Sequence, residues 1–269
     1  MARVPLAAMV KRARPRSKVI VMRQVIIPAT LASDLFATAY LPILQAWEKA
    51  IPGIVAQYEA SLAAYTKDAP EDIGAAISAG EKMAAQVILT IKLRLSEWAM
   101  RVERLHRSKW AASVASATGV RINTMIGPEA AKVPVASVVE ANVALIRSIS
   151  EEESRRIGHA VFSGLQRRAP AREIAKEIRA AAAMTRRRAL NIASDQTSKL
   201  AASLNEERRR EVGIDTWQWV SSHKVHYRPA HKARDGKRYS DSNPPPDMPG
   251  QLIHCGCTSR AVLSLDGEF

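Results

Sequence analysis

The chain has 269 residues and a mass of 29.4 kDa, enough for one large domain or two ordinary ones, and its 47% apolar content can bury a core. Two cysteines exclude a disulfide framework, and no uninterrupted apolar run approaches the ~20 residues of a membrane-spanning helix. A net charge of +14 and a pI near 10.2 point to a polyanionic partner.

Residues 1–28 read as a basic, extended N-terminal arm. They hold Arg3, Lys11, Arg12, Arg14, Arg16, Lys18 and Arg23 and no acid. A secretory signal needs an unbroken apolar stretch, and Arg23 and Pro28 interrupt this one. Residues 19–27 are β-branched and bounded by a proline, so they read as a short strand or extended arm. Such an arm can add itself to the edge of a partner's sheet, with Val19, Val21, Val25 and Ile27 as the contact residues. The alternative is a disordered basic tail.

Residues 29–134 read as a helical body. Leu31, Leu35, Tyr40, Leu44 and Trp47 fall on one stripe, Pro52-Gly53 is expected to break it, and residues 54–65 resume it. Asp68, Pro70 and Asp72 mark a helix start. A helix over about 69–117 should follow, with Ile77, Met83, Val87, Ile91, Leu95, Trp98, Val102 and Leu105 at threes and fours. At ~1.5 Å per residue it would reach about 60 Å or more, the mark of an elongated body. Gly127-Pro128 and Pro134 punctuate a connector.

Residues 135–269 form the C-terminal region, helical to about 212. A short helix is expected over 135–147, a fresh start at Ser150 with Glu151, Glu152 and Glu153 in its first turn, another at Pro170, and a third capped by Thr185. Gly213 is a natural terminator. Ile214 to Val220 then alternates, with Trp217 and Trp219 on one face of a strand, and residues 253–265 offer one or two more strands. The fold class is therefore mainly α, with a small α+β module over 213–269.

The excess charge is concentrated. Residues 155–238 carry 20 basic and 8 acidic side chains. Two triplets, Arg186-Arg187-Arg188 and Arg208-Arg209-Arg210, each wrap most of a helical turn, so their side chains cannot all face a core. With Arg12, Arg14, Arg16 and Lys18 they form the expected surface for non-specific contact with double-stranded DNA. The alternative for each run is a solvated helix face.

His223, His226, His231, His254, Cys255 and Cys257 lie within a 35-residue window. His231, Cys255 and Cys257 make a zinc-type ligand set, although Cys-x-Cys is not the usual zinc spacing. Either the cysteines are small buried residues that pin the module, or they hold a structural zinc. No catalytic residue is assigned: no deaminase signature, Walker loop, dinucleotide fingerprint or Gly-x-Ser-x-Gly is present.

An ordered series of motifs over about residues 140–260 resembles the phage Mu F-like minor head protein family, the head morphogenesis proteins of tailed phages and prophages. It runs from Ile192-Ala-Ser-Asp-Gln-Thr-Ser-Lys-Leu200 through Asn205, Arg208, Gly213, Trp219, Arg228-Pro-Ala-His231, Asp235-Gly236, Pro244-Pro-Pro246 and Pro249-Gly250 to Cys255-Gly-Cys257. Ser194, His254 and Gly256 depart from the Arg, Asn and Arg common in the family. The resemblance implies a structural protein of the virion interior, not an enzyme, that associates with the portal, and with major capsid or scaffold protein, in head assembly or DNA delivery. It would pass through the bacterial host cytoplasm during assembly and need no cofactor beyond a structural zinc. Two rivals remain: a zinc-dependent enzyme acting on nucleic acid or peptidoglycan, built on His231, Cys255 and Cys257, and a free-standing bacterial nucleic-acid-binding protein.

Overall fold

A computed structural model describes residues 5–14, 16–64, 70–223 and 228–265. In chain order the elements are α1 (Leu6–Ala13), β1 (Val19–Val21), α2 (Thr30–Leu35), a π-helical turn (Phe36–Tyr40), α3 (Leu41–Ala63), α4 (Pro70–Thr118), α5 (Lys132–Arg167), α6 (Ala171–Glu211), β2 (Thr216–Val220), α7 (Pro229–Lys232), β3 (Arg238–Ser240) and β4 (Thr258–Ser264). The mainly helical class with a small C-terminal sheet is thus observed, and so is the one very long helix: α4 spans 49 residues. The chain folds into two compact units made of discontinuous segments, residues 1–31, 98–138 and 194–269 in the first, 32–97 and 139–193 in the second.

The second unit is all helix. Leu35, Tyr40, Leu44 and Trp47 are buried as their spacing predicts, and so are Ile77, Ile91 and Leu95. Four expected local features are overridden here. Pro52 and Gly53 do not break α3; both are exposed, while Ile51, Ile54 and Tyr58 are buried on the same helix. An interior proline costs about 3 kcal/mol, and each buried apolar side chain returns about 1.5–3 kcal/mol. Ser150 does not start a helix, because α5 runs through it without a break; Ser150 lies inside and its Oγ accepts from Trp47 Nε1 at 3.0 Å. Thr185 does not cap one either, because its hydroxyl donates back to the Ala181 carbonyl within α6 at 3.2 Å. Glu153, expected at a solvated helix start, is buried, and burial pushes its carboxyl above the usual range. The expected capping Asp68 lies outside the described residues.

By length and composition α5 is apolar enough to cross a bilayer, with a mean hydropathy of 1.3 over its most apolar stretch. Of that stretch 28% is buried, and Asn142 on the same helix is fully buried and accepts from Tyr40 Oη at 2.6 Å.

The first unit carries the sheet, ordered β1-β4-β2-β3 with every neighbour antiparallel. Ile20 pairs with Leu263, Trp217 with Ala261 and Tyr239, and Trp219 with Ser259. Paired residues share a face, so all of these side chains line one side. At one end that side joins a core built from Leu6, Val10, Trp110, Val114, Ile122, Val212 and Ile214. At the other it forms a separate cluster of Trp217, Trp219, Cys255 and Cys257. Gly213 closes α6 at φ +71°, as its position predicted.

The arm is not extended throughout. Residues 6–13 form α1, which buries Leu6 and Val10, and the strand at residues 19–21 lies on β4 of its own chain.

Candidate functional site

The histidine–cysteine cluster is assembled from three local pieces. Trp219 of β2 supplies the floor, His231 comes from the single turn of α7, and the two cysteines come from the loop that leads into β4. His231 Nδ1 lies 3.5 Å from Cys255 Sγ and 3.6 Å from Cys257 Sγ. All three donor atoms fall within 4.8 Å of one another, and all three residues are buried. The imidazole stands edge-on to Trp219 at 5.0 Å. On its far side, His231 Nε2 meets Asp247 Oδ2 at 2.6 Å, and Asp247 Oδ1 accepts from Arg234 at 2.5 Å. Burial opposes ionisation of Asp247, yet the hydrogen bonds from Arg234 and His231 hold its carboxyl below the ordinary range. Arg234 in turn stacks over Trp219 at 5.1 Å. Between the thiols, the hydrogen bond from Cys257 pulls Cys255 below the ordinary thiol range, and Cys257 rises in consequence.

The motif residues that surround this cluster act as struts. Asp195 of α6 accepts the His254 backbone N–H at 2.6 Å and pairs with Lys199 at 2.9 Å, which ties the helix to the cysteine loop. His254 sits at φ 59°, a left-handed conformation that asparagine tolerates better. Gly250, at φ +79°, lets the loop close on α6: a Cβ there would come 2.8 Å from Ala202. Arg228 donates to the Ile253 carbonyl at 3.1 Å, and Asp235 accepts from the Ser221 N–H at 2.8 Å. His226 lies outside the described residues.

The two arginine triplets part company. Arg208 and Arg209 are buried, which corrects their expected place on a DNA-facing surface. Arg208 bonds to Glu103, to Glu211 Oε2 at 2.6 Å and to the Gly127 carbonyl at 2.7 Å. Arg209 reaches Asp241 Oδ1 and Ser259 Oγ, both at 3.0 Å, and stacks over Trp217. Arg210 is exposed but paired with Glu206 and Glu207. Arg186 and Arg187 are exposed, Arg186 lying over the Phe36 ring at 5.3 Å, and Arg188 reaches Glu152 at 3.5 Å. Arg12, Arg14, Arg16 and Lys18 are exposed, with Arg14 donating to the Ala117 carbonyl at 3.1 Å.

Of the four apolar arm residues, Val19 and Val21 face outward, whereas Val25 is buried and Ile27 packs against the core. β1 is the end strand of the sheet order, so no strand pairs with its second edge among the described residues. A cleft of about 330 Å³ beside α6 is lined by Lys199, Glu206, Arg209, Met248 and Gln251 among others. Its charged groups are committed to Asp195, Arg210 and Asp241 respectively, so they serve the fold.

The sequence missed Asp247, Asp241, Glu103 and His106, whose Nε2 lies 3.0 Å from Oδ1 of the motif residue Asn205. Only Asp247 carried a local signal, as the acid that ends the proline run ahead of the cysteines.

The module is a helix-tethered small sheet with a buried His–Cys–Cys corner, framed by glycine and proline turns. Residues 155–260 match the family model described as Phage Mu protein F like protein. A curated relative from Haemophilus influenzae, named only as an uncharacterized protein, is 34% identical over 131 residues, covering 48% of this chain and 29% of that one. The chain thus spans less than a third of that relative's length. No solved structure matches it.

Proposed function

We propose that the protein is a structural minor head protein of a tailed phage or prophage. It is held near the portal inside the capsid, touches packaged double-stranded DNA without reading its sequence, and acts in head assembly or DNA delivery. The Mu F-like stretch at residues 155–260 carries this reading. The exposed Arg12, Arg14, Arg16, Lys18, Arg186 and Arg187 support the DNA contact. The burial of His231, Cys255 and Cys257 favours a structural corner over a catalytic metal that a polymer substrate must reach.

The outward Val19 and Val21 on β1, whose second edge no described strand pairs with, are the proposed portal contact. Deleting residues 1–28 cannot test it cleanly, because the deletion removes Leu6, Val10, Ile20, Met22 and Val25 from the core. The double substitution Val19→Asp/Val21→Asp leaves those residues in place. Co-expressed portal should co-purify with the wild-type protein and not with the variant. A portal that never co-purifies overturns the portal reading, and one that follows the variant equally well moves the contact away from β1.

DNA binding should be independent of sequence and steeply salt-dependent. Six phosphate contacts give a loss of roughly three decades in affinity between 50 and 200 mM salt. A flat anisotropy titration over that range removes DNA from the proposal.

A further inference from the structure

We infer that His231 Nδ1, Cys255 Sγ and Cys257 Sγ bind one zinc ion, with Asp247 as the positioning residue that fixes the imidazole. Three observations lead there. The first is distance. Tetrahedral zinc with Zn–S near 2.3 Å and Zn–N near 2.0 Å requires an S···N separation of about 3.5 Å. The two observed separations are 3.5 and 3.6 Å.

The second is hydrogen-bond capacity. Asp247 Oδ2, 2.6 Å from Nε2, places the proton of a neutral ring on Nε2 and leaves Nδ1 a single lone pair. Two sulfurs face that one lone pair, which accepts from only one thiol and leaves the other to its neighbouring sulfur, a weak acceptor. One cation bonded to all three atoms satisfies every donor at once.

The third is the outer partner. Ligating histidines characteristically donate their other N–H to a carboxylate, which sets the tautomer and raises ligand basicity. Asp247 is so placed, and Arg234 anchors it in turn. A buried set of two thiolates and an imidazole is soft to borderline, which selects zinc over magnesium or calcium.

The ion would staple three separate pieces, α7, the proline loop through Asp247, and the approach to β4, around Trp219. The small module has few large side chains besides its tryptophans, so such a staple would contribute directly to its folding. The inference does not depend on the phage reading, since a zinc corner would serve any of the functions considered.

The test uses the full chain expressed in zinc-supplemented medium, with metal content read by plasma emission spectrometry. About one zinc per chain is expected, with cobalt exchange giving an intense thiolate-to-metal band in the near ultraviolet. Cys255→Ser should lose both the metal and that band, and His159→Ala, at an exposed histidine in the other unit, should keep both. Asp247→Asn retains all three donors, so it should still bind zinc but lose it to a competing chelator about 10–100-fold more readily. Zinc below about a tenth of an equivalent in the wild-type protein overturns the site, whatever the variants do. Full metal retention in Cys255→Ser places the zinc elsewhere, and wild-type affinity in Asp247→Asn removes the role assigned to that carboxylate.

Discussion

Two arginine triplets on the one helix α6 carry the same sequence signal and meet opposite fates. Arg186 and Arg187 stay in solvent, Arg186 lying on an aromatic ring, and Arg188 is shared with Glu152. Arg208 and Arg209 are buried and carry ion pairs to Glu103, Glu211 and Asp241. The helical period is the same at both places and cannot distinguish them, although the second triplet lies in the last turn of α6. The difference lies in acids that arrive from elsewhere: Glu103 from α4, and Asp241 from the turn after β3. A charge run seen in sequence therefore gives the number of positive groups but not how many remain for a polyanion. Here the second triplet works as an internal clamp, joining α6 to α4 through one arginine and to the sheet through the next.

The comparison breaks most sharply at Arg208. Arg208→Ala leaves the buried Glu103 with only Arg107, at 3.0 Å, and opens a void where the guanidinium lay, so it should cost about 2–4 kcal/mol. Arg187→Ala on the same helix should stay within about 0.5 kcal/mol. Urea midpoints of the two variants measure the contrast directly, and near-equal midpoints would dissolve it.

The next effect concerns pH in the same clamp. His106 is fully buried beside Asn205 and Arg208, and its pKa falls to about 4, chiefly because burial disfavours the charged ring. Below about pH 6.5 the unfolded chain takes up a proton that the folded one refuses. The contribution of His106 is therefore complete above that pH and is lost as the pH falls toward 4, by up to ~3 kcal/mol. Denaturant titrations between pH 7 and 4 should show this slope, and His106→Gln should flatten it.

Glu153 gives a smaller effect of opposite sign. Its raised pKa means that the ionised form costs stability at neutral pH, so Glu153→Gln should raise the melting temperature at pH 7 and lose that advantage near pH 4. The smallest expected change is in DNA binding. Replacing Arg187 should lower the salt slope by about 0.9, the share of one phosphate contact, while Arg209→Met, if it folds, should leave the slope unchanged.

The same contrast explains what the sequence could and could not reveal. The spacing of Ile91, Leu95, Trp98 and Val102 located α4, and the alternation at Trp217 and Trp219 located β2, because both patterns are local. The ligand-type trio was visible from residue type alone. Its orienting acid was marked only by its place after the proline run, and its role was not legible, since Asp247 is joined to His231 through space, 16 residues along the chain. Ser150 and Thr185 have the side chains of helix starts and sit mid-helix, because a buried stripe on either side outweighs a cap worth about 1 kcal/mol. Pro52 was misread as a break for the same reason.

The position of β4 at the centre of the sheet order has a consequence for synthesis. It pairs with β1 on one side and β2 on the other, and Gln24 donates to Thr258 across 234 residues. At roughly 5–20 residues per second, the ribosome needs about 10–50 s to travel that distance. Through all of it Leu6, Val10 and Ile20 have no β4 to close over them. The earliest part of this unit to be made is thus among the last to be buried, and a nascent chain halted before residue 258 would present an apolar helix and an open strand to whatever binds such segments in the cell.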